Sequence, residues 1–407
     1  MFKSKLIKLG IAVFFISTSA FSQTIHSRTS EISIERLERY DHFIEQSIQK
    51  GAIPGAVVMV LKNGEVVHQK AFGSSDIDSK KPMVEDQIFF IQSMTKPIVT
   101  TAFMMLYEEG YFQLNDPVEK YLPWFKDLKI AIDPSKGIAG GTKPAQNKVT
   151  IANLLSHTAG FSHGIAAGKL EEEIRTAIYG SPQENIESRV RTLVNQPLIG
   201  EPGEQWYYSA SPDVLSLLIE KFSGMTTAEF LQERIFDPLD MKDTGYNLTD
   251  DQKSRMVQVH TKDENGKLIK VERQTPTEGN KVFGGTHGLF STAEDYSKFT
   301  TMLLNGGESH GIQFLSPKTI EIMTIDQANG LYNSPGHGFG FGFAVLEDLA
   351  DAKALGSVGQ YFWSGAYCTF FFVDPKENLI SIFMTQMANY DNYWGEKMRQ
   401  FVYQAIE

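Results

Sequence analysis

Strand-like text stands at the two ends of this 407-residue chain and helix-like text lies between them, which leaves few folds open. Near the N-terminus Ala56–Leu61 is an unbroken apolar run that reads as a buried strand. Lys62-Asn63-Gly64-Glu65 then supplies turn chemistry, and Val66–Phe72 follows as the hairpin partner. Asn-Gly adopts the positive φ angles that a two-residue hairpin turn requires. Towards the C-terminus Phe339–Leu346, Tyr367–Val373 and Leu379–Thr385 alternate or run apolar like sheet strands, and a last helix is expected over 391–405. The fold class expected is α/β (α+β): an antiparallel sheet built from both terminal segments and flanked by helices, with a mainly helical lobe inserted at about 117–284.

The helical text is periodic. Ile34, Leu37, Tyr40, Phe43, Ile44 and Ile48 recur at spacings of three and four before Gly51 breaks the pattern. A second helix is expected to start at Ser93, with Ile98, Ala102, Met105 and Leu106 on one face before Gly110. A glycine-rich loop, expected to be mobile, occupies 133–148.

With 42% hydrophobic residues the chain can bury a substantial core in one large domain, taken as 30–407. The first residues differ from the rest. Lys3, Lys5 and Lys8 precede the apolar run Leu9–Ile16, and small residues close it at Ala20-Phe21-Ser22. Positive, apolar, then small is the layout of a secretory signal peptide, so residues 1–22 are expected to be removed and the protein exported, to the periplasm. Cleavage removes three lysines and takes the net charge from -11 to about -14. Such an acidic surface disfavours nucleic acid and anionic membranes as partners. No later stretch has the roughly 20 apolar residues of a membrane span. Cys368 is the only cysteine, so no internal disulfide can form, and no Cys/His spacing suggests a metal. No cofactor is expected.

The chemistry centres on Gln92-Ser93-Met94-Thr95-Lys96. A serine hydroxyl needs a base within hydrogen-bond reach to become a nucleophile. Residues three apart on a helix share a face, which sets Lys96 beside Ser93. A helix N-terminus favours negative charge developing there, and the Ser93 amide could serve as one oxyanion donor. Ser-x-x-Lys alone is a weak signal that a helix cap and a solvated lysine would also produce.

Other motifs accompany it in order. They are Ile53-Pro54-Gly55-Ala56, Leu114-Asn115-Asp116-Pro117-Val118, Thr150–Gly160, Pro202-Gly203-Glu204-Gln205-Trp206-Tyr207-Tyr208-Ser209 and Gly288–Tyr296. Together, from about residue 30 to the C-terminus, they resemble the serine β-lactamase-related hydrolases, the group of class C β-lactamases and penicillin-binding proteins. The resemblance implies that Ser93 is acylated and that Lys96 is its neighbouring base. Tyr208, opening Tyr208-Ser209-Ala210, would relay a proton to the leaving group, its phenol acidified by the Lys96 ammonium. Tyr207 is its close competitor, and alternation would point the two to opposite sides.

Two departures from the lactamase pattern bear on substrate. Ala210 stands where an amide side chain is usual, so no side-chain bond to a substrate amide is available. In place of the Lys-Thr-Gly strand stands Trp363-Ser364-Gly365, which resembles the Trp-x-Gly of family VIII carboxylesterases. Tryptophan offers an apolar wall and one N–H but no cation. The amide of Ser364, Gly365 or Ala366 would be the second oxyanion donor; analogy favours Ala366. His157 is expected to fix its own loop. His287, in a glycine-rich turn before a helix capped by Ser291 or Thr292, could border the cleft. Asp116 and Asp213 read as structural. The reading is therefore an acyl-enzyme hydrolase of small-molecule esters. A D,D-peptidase, D-aminopeptidase or weak β-lactamase acting on amides is the alternative, and a catalytically silent binding protein is a third possibility.

Overall fold

The computed structural model describes residues 31–272 and 274–407. The expected signal peptide, residues 1–22, lies outside the described residues. Helix α1 (Ile34–Gln49) opens the fold, with the Ser33 side chain capping its first turn. Strands β1 (Gly55–Lys62) and β2 (Glu65–Asp76) form the expected hairpin, with Asn63 and Gly64 at φ 54° and 81°. A short β3 (Lys81–Pro82) extends it.

Helix α2 (Thr95–Glu108) then leads into the helical region. That region contains α3 (Lys169–Tyr179), α4 (Ile186–Val194) and α5 (Ser211–Ser223). The 133–148 stretch is more ordered than a plain loop. A 3-10 segment at Pro134–Gly140 leads to a ribbon that pairs Lys129–Ala131 with Thr142–Pro144. After α6 (Ala293–Leu304), N-capped by Thr292, the chain returns to strands. These are β4 (His337–Phe339), β5 (Ala344–Leu346), β6 (Tyr361–Gly365), β7 (Thr369–Asp374) and β8 (Leu379–Met384), and α7 (Tyr393–Tyr403) closes the fold.

The sheet has eight strands in the order β4-β5-β6-β7-β8-β1-β2-β3, and every neighbouring pair is antiparallel. The two chain ends meet in its centre, where β1 pairs with β8 from Val57↔Met384 to Lys62↔Leu379. Every residue of β1 is buried. Alternate side chains face opposite sides of a strand, so this run serves two cores at once. Val57, Met59 and Leu61 join the large core with α2, α5 and α6, while Ala56, Val58 and Val60 pack with Tyr40 and Ile44 of α1 and Trp394, Met398 and Val402 of α7. Three layers result, with the helical region continuous with the α2 layer.

Two expectations need correction. Phe339–Leu346 is two strands joined by a tight turn, because Gly342 takes φ 84°, a left-handed conformation that the β-rich text around it does not reveal. The second helix begins at Thr95, and Ser93 sits just before it in a 3-10 turn, Gln92–Met94. Gln92 is held at φ 49°, a strained setting for a residue with a long side chain.

Candidate active site

The 3-10 turn, α2, the segment before α5 and the edge of β6 converge on one cleft of about 1450 Å³, lined by Ser93, Tyr208, His287, Trp363, Ser364 and Ala366 among others. Lys96, on the first turn of α2, is almost wholly buried. Its Nζ lies 3.2 Å from Ser93 Oγ and donates to Thr286 O at 2.8 Å. Burial pulls its pKa from 10.5 down to about 7, against an opposing upward pull from Asp213. Lysine shifts readily in this way because desolvation penalises only the charged form. Near neutral pH, half of these amines are free bases beside a serine hydroxyl.

Tyr208 completes the set. Its phenol hydrogen-bonds Ser93, and Trp363 Nε1 donates to its oxygen at 3.4 Å. Lys96 Nζ stands over its ring, 4.5 Å from the centroid. His157, His163 and Trp206 pack around the same ring at 5.2, 5.8 and 6.1 Å. Tyr207 points elsewhere, with its hydroxyl on Gln205. The expected acidification of Tyr208 is absent. Burial raises its pKa to about 12, and the bonds from Ser93 and Trp363 offset only part of that rise. A lysine that is itself half neutral lends the phenol little charge, so Tyr208 stays protonated and is suited to donating a proton.

Gly365 lies against the nucleophile turn. A Cβ there would stand 2.4 Å from Ile91 O, so only glycine lets β6 come this close. Ser364 and Gly365 belong to the ladder with β7, and the Ser364 hydroxyl meets Tyr390 at 3.0 Å, away from Ser93. Ala366 lies beyond the ladder. Among the described residues neither its amide nor that of Ser93 donates a hydrogen bond, and both residues line the cleft. Free amides on residues lining the cleft that holds the Ser93 hydroxyl are candidates to stabilise a developing oxyanion.

Burial lowers the pKa of His157, His163 and His287, so these three are neutral. His157 bonds Ser209 through Nδ1 at 2.8 Å, a contact that ties its loop to the Tyr208 segment. His287 lines the cleft beside His163 and Tyr179, and burial holds its pKa well below 6.5. His163, bonded to Tyr179 at 2.9 Å, has its pKa lowered to about 3 by burial. Sequence reasoning passed over His163 and Tyr179. Only the proximity of His163 to the Thr150–Gly160 motif could have pointed to it. Asp213, read as structural, is fully buried. It accepts from Thr286 N at 2.8 Å and faces Arg189 at 3.5 Å, so it braces the residue whose carbonyl holds Lys96. Asp116 is bonded to Gln113 N, Lys120 and Tyr121, in a turn of its own. Ala210 is buried at the N-terminus of α5 and presents no amide side chain.

The chain is similar to known proteins in sequence and in fold. The Beta-lactamase family model matches residues 40–398. An uncharacterized protein of Mycobacterium tuberculosis is 31% identical over 360 residues, spanning 84% of this chain and 88% of the relative. Esterase EstB of Burkholderia gladioli is 27% identical over 371 residues, spanning 86% and 90%. Among solved structures EstCE1, described as a hydrolase with promiscuous acyltransferase activity, matches with a TM-score of 0.78 at 25% identity, covering 91% of this chain and 99% of its own. The chain belongs to the Beta-lactamase family, as a serine hydrolase with esterase and acyltransferase relatives.

Proposed function

We propose that this protein is an exported carboxylesterase that forms an acyl-enzyme on Ser93. The observation that carries the reading is a buried Lys96 with its pKa near 7, 3.2 Å from Ser93 Oγ, with a protonated Tyr208 on the same hydroxyl. Neutral Lys96 takes the Ser93 proton as Oγ bonds to the ester carbonyl carbon. The amides of Ser93 and Ala366 hold the oxyanion. Tyr208 gives its proton to the departing alkoxide as the C–O bond breaks, and the Lys96 ammonium restores the proton to the phenol. Water, deprotonated through the same pair, then releases the acid.

Trp363 and Ala210 favour an ester over an amide of cell-wall type, since neither a cation nor a side-chain amide stands ready at those positions. The apolar cleft and the likeness to EstCE1 also support transfer of the acyl group to an alcohol in place of water. Export rests on the lysine-rich, apolar start of residues 1–22. N-terminal mass analysis of the extracytoplasmic protein tests it, and an intact Met1 there would count against cleavage. For the chemistry, the mature protein should hydrolyse p-nitrophenyl butyrate and should be labelled once, on Ser93, by a fluorophosphonate. Activity no greater than that of Ser93→Ala would end the esterase reading, and preferential turnover of nitrocefin would replace it.

A further inference from the structure

The wall beside Tyr208 holds polar side chains that acyl transfer does not use. His163 precedes α3, Tyr179 ends that helix and His287 stands in the turn before α6, and all three line the cleft. The His163 and His287 rings stack, with centroids 6.2 Å apart and planes 14° from parallel. The Tyr179 ring lies 5.8 Å from the first and 5.6 Å from the second. Arg189 sits over the Tyr179 ring at 5.0 Å and is paired with Asp213.

Tyr179 fixes the tautomer of His163. Its hydroxyl meets His163 Nδ1 at 2.9 Å and has no other partner among the described residues. Burial pushes the phenol's pKa up, so it keeps its proton, and an imidazole nitrogen accepts a hydrogen bond better than a phenol oxygen does. The phenol therefore donates, which leaves the His163 proton on Nε2. That N–H and both ring nitrogens of His287 have no protein partner among the described residues, and none of the three is sealed from solvent. Neutral His287 adds one donor and one acceptor.

Two donors and one acceptor on a cleft wall constrain what can lie against them. An apolar alcohol would strip them of water and return nothing, a penalty that grows with each group left unpaired. A carboxylate meets no available cation at this wall, since Arg189 is paired and burial holds the His163 pKa at about 3. A hydroxyl both donates and accepts, and two neighbouring hydroxyls suit the set. Tyr208 gives its proton to the departing alcohol, and His163 packs on the Tyr208 ring at 5.8 Å, so the alcohol half of the ester meets this wall.

We propose that His163 and His287 form a subsite for the hydroxyl groups of a polyhydric alcohol, and that the ester cleaved is a partial ester of such an alcohol. The cleavage rests on the esterase reading; the binding of the hydroxyls does not.

The test compares 1-monobutyrin with propyl butyrate, which share an acyl group and differ by two hydroxyls. The wild type should favour monobutyrin in kcat/KM. His287→Phe and, separately, His163→Phe should each cut the monobutyrin-to-propyl ratio by about 3- to 10-fold, mainly through KM, as expected for lost neutral hydrogen bonds. His287→Gln, which keeps a donor and an acceptor, should restore part of it. A wild type indifferent to the hydroxyls, or a ratio that neither Phe variant lowers, overturns the proposal. Where a histidine variant does not fold, Tyr179→Phe, which releases the His163 tautomer, should still lower the ratio, and no change there counts equally against it. Saturation-transfer NMR of 3-ethoxypropane-1,2-diol against ethyl propyl ether, on Ser93→Ala, separates the two readings. Binding of the diol that depends on His287, without ester turnover by the wild type, keeps the subsite and removes the esterase. Ester turnover without such binding does the reverse.

Discussion

Replacing Asp213 with asparagine should move the acid limb of the pH profile to lower pH. Lys96 reaches a pKa of about 7 because burial lowers it more than Asp213 raises it. At pH 7 half of the amine is neutral, against about one part in three thousand for an unshifted lysine. The base works deprotonated, so kcat/KM should rise about tenfold per pH unit below 7 and level off above it. Two hydrogen bonds of 2.8 Å, from Lys96 Nζ to Thr286 O and from Thr286 N to Asp213 Oδ1, bridge a single residue. That path sets the carboxylate roughly 6–8 Å from Nζ, worth about 2–3 kcal/mol at an effective dielectric of about 20, or roughly 1.5–2 pH units. Arg189, 3.5 Å from the other carboxylate oxygen, cancels part of the charge, so the expected displacement is about one pH unit. Asparagine keeps the acceptor for Thr286 N and removes only the charge. The assay is kcat/KM on p-nitrophenyl butyrate from about pH 5 to 9, with the rate of fluorophosphonate labelling as a readout of Ser93 alone. A limb that stays put or moves to higher pH, in a variant with unchanged circular dichroism, would refute the assignment of the limb to Lys96.

Three further outcomes are expected. Tyr208→Phe should lower kcat by about 10²–10⁴-fold while Tyr207→Phe stays near wild type; the reverse result would put the proton donor one residue earlier. Gly365→Ala should cost about 1–3 kcal/mol in denaturant unfolding and depress acylation, because the added methyl meets Ile91 O and Thr369 Oγ1 at 2.4 and 2.3 Å. Unchanged stability and rate would mean that β6 can retreat freely. Lys96→Met should abolish activity yet raise Tm at pH 7. The folded pKa lies below the unfolded value of 10.5, so unfolding takes up a proton between about pH 7 and 10.5, and the wild type loses stability as pH falls through that window. The gain should shrink as pH approaches 10.5, and a Tm below wild type at pH 7 would contradict it.

Much of this architecture is legible in the chain because it is set by neighbours in sequence. Asn63-Gly64 specifies its turn through backbone sterics, the 3-4 spacing of Leu37, Tyr40 and Ile44 specifies α1, and Ser93 and Lys96 meet because three residues make nearly one turn. Alternation also separated Tyr208 from Tyr207. The apolar run from Phe339, by contrast, reads the same whether Gly342 extends a strand or reverses it. Gln92 at positive φ has no sequence signature at all. The electrostatics were inaccessible for a deeper reason. Whether Lys96 carries charge, and whether Tyr208 is acidified or made less acidic, depends on how much water packing removes from each group, and that packing comes from segments scattered along the chain. By itself the sequence determined the local conformations and the identity of the reacting groups, both governed by short-range sterics. Tertiary structure decided their protonation, because charge in a protein is set by burial and by partners that only folding brings together.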